Sequence, residues 1–202
     1  MEMDYGRRVF PSYRFDQAEA VVSLNADFLG TWGDNVWYTG EWAKTRRPES
    51  GDMSTLHAFE SGMSLTGSNA DRRTRVKPSE QGRVAAAMLR ELTGEGAAVQ
   101  LDEAVMSSVK AAVADLKRAG SKGLVVAGDN DLATQRIASA INRSLGALGT
   151  TMVVNAEPGL NQGDDKAFAQ LVTDMQAGRV SALIVDGINP AYHAAGAAAF
   201  KT

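Results

Sequence analysis

The chain has 202 residues, 44% of them hydrophobic and 22% charged, and its 21 Lys and Arg against 24 Asp and Glu leave a net charge of −3. Such a balance suits one large or two small folded cores, and it lacks the basic excess of a nucleic-acid binder, so no nucleic-acid partner is expected. With no cysteine and only two histidines, His57 and His193, the chain cannot supply disulfides, thiolate-held zinc or iron–sulfur clusters, thiol catalysis or a histidine-rich metal site.

No run approaches the roughly 20 apolar residues of a membrane span, and MEMDYGRRVF lacks the apolar stretch of a signal peptide. In chain order, the polar prelude FDQAEA leads into Val21-Val22-Ser23-Leu24, which predicts a buried strand; Asn25-Ala26-Asp27 breaks it and Phe28, Leu29 and Trp32 follow. From Asp34 to Arg47, Trp37, Tyr38 and Trp42 recur near helical spacing before Arg46, Arg47 and Pro48, which predicts a short helix and its stop. Thr55 to Phe59 predicts a second strand, ESGMSLTGSNADRR a loop rich in turn formers, and RTRVKPSE a brief third strand closed by Pro78. GRVAAAMLREL places Val84, Met88 and Leu92 at four-residue steps and ends near Gly94, which predicts a helix.

After a weak linker at 95–101, Val105, Val109, Val113 and Leu116 predict a helix that ends at Gly120. GLVVAGD reads as a strand buried on both faces, and DLATQRIASAINRSLGAL as a helix with Leu132, Ile137, Ile141 and Leu145 on its apolar side. Strand TMVV, helix DKAFAQLVTDMQAG and strand ALIVDG complete the pattern. Strands alternating with helices of this length predict an α/β protein with a mainly parallel, doubly wound, three-layer sheet, in two halves at 1–96 and 97–202.

Four short stretches carry candidate chemistry. VVAGDN at 125–130 precedes a helix and offers either an anion contact at its first amides or an N-cap from Asp129 or Asn130; with a single glycine and no G-x-G-x-x-G pattern, the cap is preferred. IVDGINPAY delivers Asp186, Gly187 and Asn189 to a proline turn, either as a binding loop or as an Asx turn leaving the sheet. ESGMSLTG at 60–67 follows a strand, so Glu60 either accepts ribose hydroxyls or is solvated on a surface loop. Arg72, Arg73, Arg75 and Lys77 read as a solvated or partner-facing surface, and Trp32, Trp37 and Trp42 as core or interface anchors. His193 has no sequence-local carboxylate or serine partner that would make it catalytic.

Taken in order, PSYRFDQAEAVVSLNADFLGTW, RRP, MSTLHAFESGMSLTGSNADRRTRVKPSE, VVAGDNDLATQRIASAINRSLGALGTT and ALIVDGINPAY resemble the large molybdopterin-oxidoreductase subunits over most of the chain. FDQAEAVVSLNADFLGTW with ESGMSLTGSNADRR is similar, more narrowly, to the iron–sulfur, molybdopterin-oxidoreductase-like subunit of alternative complex III, a membrane-associated quinol oxidoreductase. In cofactor-bearing relatives, turns of G-x-N-P and D-P-R type hold the guanosine portions of a bis-molybdopterin guanine dinucleotide. By position the resemblance assigns Asn25 and Asp27 to the first turn, Glu60 and Ser61 to the second, and Gly187, Asn189 and Pro190 to the corresponding turn of the other half. N-A-D-F replaces the expected glycine and proline, and E-S-G replaces D-P-R.

The resemblance therefore implies a scaffold that keeps the fold without the molybdenum cofactor and is not catalytic by itself, with Phe28, Leu29 and Trp32 filling or covering the former nucleotide place. Iron–sulfur clusters are expected elsewhere in a longer parent subunit, partnered by other subunits of a membrane-bound respiratory complex on the periplasmic face of a bacterial inner membrane. If the chain is a piece of that parent, the segment from Trp32 to Trp42 is expected to be partly exposed. Two alternatives stand beside it: the cofactor-binding part of an active molybdopterin guanine dinucleotide oxidoreductase, and a small nucleotide- or anion-binding module built on Asn25, Asp27, Glu60 and Asn189.

Overall fold

The structure, a computed structural model, describes residues 11–51, 53–154 and 163–193. They fall in two units, Met1–Glu157 and Pro158–Thr202. In the first unit the strands are Ser12–Tyr13 (β1), Ala20–Leu24 (β2), Thr55–Glu60 (β3), Arg72–Arg75 (β4), Gly123–Ala127 (β5) and Met152–Val153 (β6). Its helices are Asn35–Lys44 (α1), Leu65–Ser68 (α2), Gln81–Thr93 (α3), Glu103–Ala119 (α4) and Leu132–Leu145 (α5). The second unit contains Asp165–Gln176 (α6) and Pro190–His193 (α7).

Strands β2 to β5 form one parallel, four-stranded sheet in the order β4-β3-β2-β5, flanked by helices, which makes the protein α/β. Strand β5 lies beyond residue 96 and pairs in register with β2, Ala20 opposite Gly123 and Leu24 opposite Ala127, so the sheet draws on both expected halves of the chain. Every residue of β2 and of β5 is buried, as befits parallel strands covered on both faces.

Because side chains alternate along a strand, β2 feeds two cores. Ala20, Val22 and Leu24 join Val125 and Phe59 against Val84 and Met88 of α3, Val109, Val113 and Leu116 of α4, and Ile141 and Leu145 of α5. Val21 joins Leu56, Leu124 and Val126 against an aromatic layer of Phe15, Phe28, Tyr38 and Trp42. Phe15 stacks on Phe28 at 4.2 Å between ring centroids, and Trp42 meets Phe28 edge-on at 5.9 Å. Phe28 and Leu29 are thus core, while Trp37 is 57% exposed, Trp32 half-buried and Trp42 buried.

The helix ends follow local rules. Asp34, Asp102 and Asp131 cap α1, α4 and α5 by accepting backbone N–H groups, and α3 and α5 end on left-handed Gly94 and Gly146. The cap of α5 is Asp131 rather than Asp129 or Asn130, because Asp131 reaches both the N–H and the hydroxyl of Thr134, at 2.8 and 2.7 Å. The loop expected between β3 and β4 contains the one-turn helix α2, capped by Ser64. At the end of α1, Arg46 lies 5.3 Å over the Trp42 ring and grips Asp71 with two hydrogen bonds of 3.0 and 2.9 Å, tying the RRP stop to the start of β4.

Two expected strands behave otherwise. TMVV shortens to β6 and pairs antiparallel with β1, Ser12 opposite Val153, instead of extending the parallel sheet. The reason is visible on β5, whose outward-facing residues are already met by side chains. Thr151 Oγ1 donates to the Gly123 carbonyl (2.9 Å), Asn142 bonds both the N–H and the carbonyl of Val125, and Gln135 Nε2 donates to the Ala127 carbonyl (2.9 Å). ALIVDG forms no strand: among the described residues nothing pairs with 182–187, and Ile184 is 93% exposed.

Candidate functional site

Strands β2 and β5 are neighbours, yet the chain leaves them toward opposite faces. After β2 it runs through 25–34 into α1, which packs in the aromatic core; after β5 it turns into α5, which packs in the aliphatic one. Parallel strands that diverge in this way open a crevice at their carboxyl ends, the usual ligand position in open α/β sheets. A cleft of about 580 Å³ lies there, with Tyr13, Trp32, Asp34 and Tyr38 on one side and Gly128, Asn130, Leu132, Gln135, Arg136 and Ser139 on the other.

The first turn is stitched to itself and to β5. Asn25 adopts a left-handed conformation (φ 55°), which asparagine tolerates better than most residues. It donates its N–H to the Phe59 carbonyl at 2.9 Å and its Nδ2 to Asp129 Oδ1 at 3.2 Å. Gly128 passes so close that a Cβ there would collide with the Asn25 carbonyl. The Asp27 carboxylate accepts the Thr66 N–H at 2.9 Å and the Thr31 hydroxyl at 3.3 Å, and its carbonyl gathers the N–H groups of Gly30, Thr31 and Trp32.

The second turn is equally committed. Glu60 is buried at the end of β3 rather than solvated. Its Oε1 accepts Arg73 Nε at 2.5 Å and its Oε2 accepts the Ser64 hydroxyl at 2.5 Å. Ser64 in turn accepts the Gly67 N–H at 2.9 Å, and a Cβ on Gly67 would overlap the Glu60 carboxylate. Ser61 is exposed at the bend beside this cluster. Asp27 and Glu60 are therefore linked through α2, by Thr66 and by Ser64.

Gly187 and Asn189 belong to the second unit, where they form a turn of their own. Gly187 takes a positive φ of 67°, and the Asn189 carbonyl accepts the N–H groups of Tyr192 and His193 at 3.0 and 2.9 Å as Pro190 opens α7. His193 Nδ1 lies 3.0 Å from the Asn189 carbonyl.

Three titratable groups on the elements that frame the cleft are displaced from their usual ranges. Burial first, then the negative charges of Asp34 and Glu41, pushes the Tyr38 hydroxyl up to about 12, so it stays protonated. Glu41 is held above its usual range by burial and then by Asp16, while its carboxylate accepts the Phe15 N–H at 3.0 Å. Asp131 is lowered by the Thr134 hydroxyl and backbone bonds. Trp32 contacts Tyr13 and Tyr38 at 5.5 and 6.0 Å, giving one wall a continuous aromatic lining. The opposite wall has the amide of Gln135, spent on the carbonyls of Ala127 and Asp129, and Ser139, only 5% exposed. Arg136 and Asn130 also line that wall, so the arrangement suits a flat small molecule with an apolar face toward Trp32 and a polar edge toward α5.

The contact of His57 Nε2 with Asp115 Oδ2 at 2.7 Å joins β3 to α4 and does not line the cleft. With His57 only 1% exposed, the pair is placed to fix α4 on the sheet. Sequence reasoning missed Gln135, Ser139 and Asn142, although their spacing of four and three residues marks a polar stripe on the inward side of an otherwise apolar helix face. Among the described residues no three metal-ligating side chains converge, and no helix is long and apolar enough to cross a membrane. Neither a scan against protein-family models nor a search of curated proteins finds a match to the chain.

Proposed function

We propose that the chain is a cofactor-free structural part of a molybdopterin-oxidoreductase-like subunit, of the alternative complex III kind, in a membrane-bound quinol:electron-acceptor oxidoreductase. Its parallel sheet would then be one part of a doubly wound, three-layer architecture. The observation that carries this reading is the self-occupation of the two turns: Asn25 is spent on Asp129, Asp27 on Thr66 and Thr31, and Glu60 on Arg73 and Ser64. Groups that must recognise a guanosine need free donors and acceptors, and these do not fit that task. Iron–sulfur clusters would lie in other parts of the parent subunit, on the periplasmic face, with other subunits providing the membrane contact.

The test is elemental and cofactor analysis of the natural parent complex. Iron without molybdenum, tungsten or guanine nucleotide is the expected result; stoichiometric metal and released guanine nucleotide would overturn the scaffold reading in favour of an active oxidoreductase.

A second reading, a small nucleotide- or anion-binding module, is favoured by the cleft itself, since about 580 Å³ remain beside Trp32. A ligand that binds only the folded state raises the melting temperature with concentration. A dose-dependent rise with guanine nucleotides supports this module, and a flat response rejects it.

A further inference from the structure

The two edges of the sheet are finished in opposite ways. On β5 each outward-facing residue is met by a side chain of the same chain, so no further strand fits there. On β4 the Val76 N–H bonds the Glu60 carbonyl, and by the alternation of a strand Arg72 and Thr74 also turn their backbone groups inward. Arg73 and Arg75 thus present their N–H and C=O groups outward, and among the described residues nothing pairs with them. An unpaired edge is a template for another strand.

Charge decides which strand. Arg72, Arg75 and Lys77 are exposed and form no ion pair among the described residues, whereas Arg73 is engaged by Glu60. A second copy pairing antiparallel about the centre of β4 would set Arg72 opposite Arg75, and like charges directly opposite destabilise a sheet. We propose that the outer edge of β4 is a docking site for an extended, acidic segment of a partner polypeptide, added as the next strand. This surface is independent of whether the turns after β2 and β3 hold a cofactor.

The probe is a fluorescent peptide of about eight alternating Glu and Val residues, the length of an ordinary strand, titrated into the full chain by anisotropy. Saturable binding that weakens with salt is expected, with no binding of the Lys/Val counterpart. Arg75→Gln removes one charge and Arg75→Pro removes in addition the outward N–H, without touching a bond to β3. The proline variant should lose about tenfold more affinity than the glutamine variant, as expected for a lost backbone bond and its register. In the unmodified chain, peptide should slow hydrogen exchange at the Arg73 and Arg75 amides. Absence of binding, equal affinities of the two variants, unchanged exchange at those amides, or an oligonucleotide that binds as tightly as the peptide would each overturn the proposal.

Discussion

The side-chain amide of Asn142 pairs with the backbone of Val125 as a neighbouring strand would: Val125 donates its N–H to Oδ1 at 2.9 Å and accepts Nδ2 on its carbonyl at 2.8 Å. Both residues are buried, so neither backbone group has water as an alternative partner. Asn142→Ala leaves a donor and an acceptor stranded and should cost about 3 kcal/mol. Urea unfolding of the variant, read as a fall in midpoint at unchanged slope, checks the value; a shift under about 1 kcal/mol would mean the edge is satisfied in another way.

At the mouth of the crevice, Gly128 and Asn25 form a backbone-to-backbone fit. Gly128→Ala drives a methyl into the Asn25 carbonyl and should destabilise by about 2 kcal/mol, in the range of overpacked sites. Asn25→Gly, which keeps the left-handed turn at no steric cost, should change stability by less than about 1 kcal/mol, while Asn25→Val should lose about 2 kcal/mol. Thermal melts of the three variants order them.

Removing the partly exposed cation that faces a buried carboxylate is costlier than neutralising that carboxylate in place. Arg73→Ala abandons the Glu60 carboxylate to Ser64 alone and should cost about 3 kcal/mol. Glu60→Gln retains an acceptor for Ser64 and should cost less. Denaturant midpoints that reverse this order would show that the guanidinium contributes little.

Glu41 gives stability a defined pH slope. Burial, and after it Asp16, keeps the folded carboxyl protonated to higher pH than in the unfolded chain. The folded state therefore binds more protons as pH rises through and above the usual glutamate range, so stability falls across that window and the penalty is fully present beyond it. Glu41→Gln can still accept the Phe15 N–H and should flatten this fall, melting at or above the unmodified chain at neutral pH and losing that advantage in acid. Parallel melts from acid to neutral pH decide it.

Much of the architecture is written in local pattern. The four-residue steps of Val84 and Met88, the run of Val105 to Leu116, and the glycines at 94 and 120 mark two helices and their ends; the third helix, expected to run on to Leu148, stops at Leu145 on left-handed Gly146, and the two fully buried strands are apolar except for Ser23. What escapes local pattern depends on register between distant segments. Glu60 looks like a solvated charge until Arg73, thirteen residues on, is placed beside it by the pairing of β3 with β4. ALIVDG has the composition of a strand, but composition cannot supply the neighbour a strand requires. The cleft is lined by Gly128, Asp129 and Asn130, where the sequence favoured a helix cap, and not by Asn25, Asp27 or Glu60; its aromatic wall depends on Tyr13 and Tyr38 converging on Trp32 from separate elements.

The three tryptophans stand at three depths: Trp42 in the aromatic core, Trp32 on the cleft wall and Trp37 in water. Their emission is consequently resolved by environment within a single polypeptide, Trp42 at the blue edge, Trp37 at the red edge and first to be quenched by acrylamide. Occupation of the cleft perturbs the Trp32 component alone, whereas unfolding moves Trp42, so one unlabelled optical measurement separates ligand entry from loss of the fold.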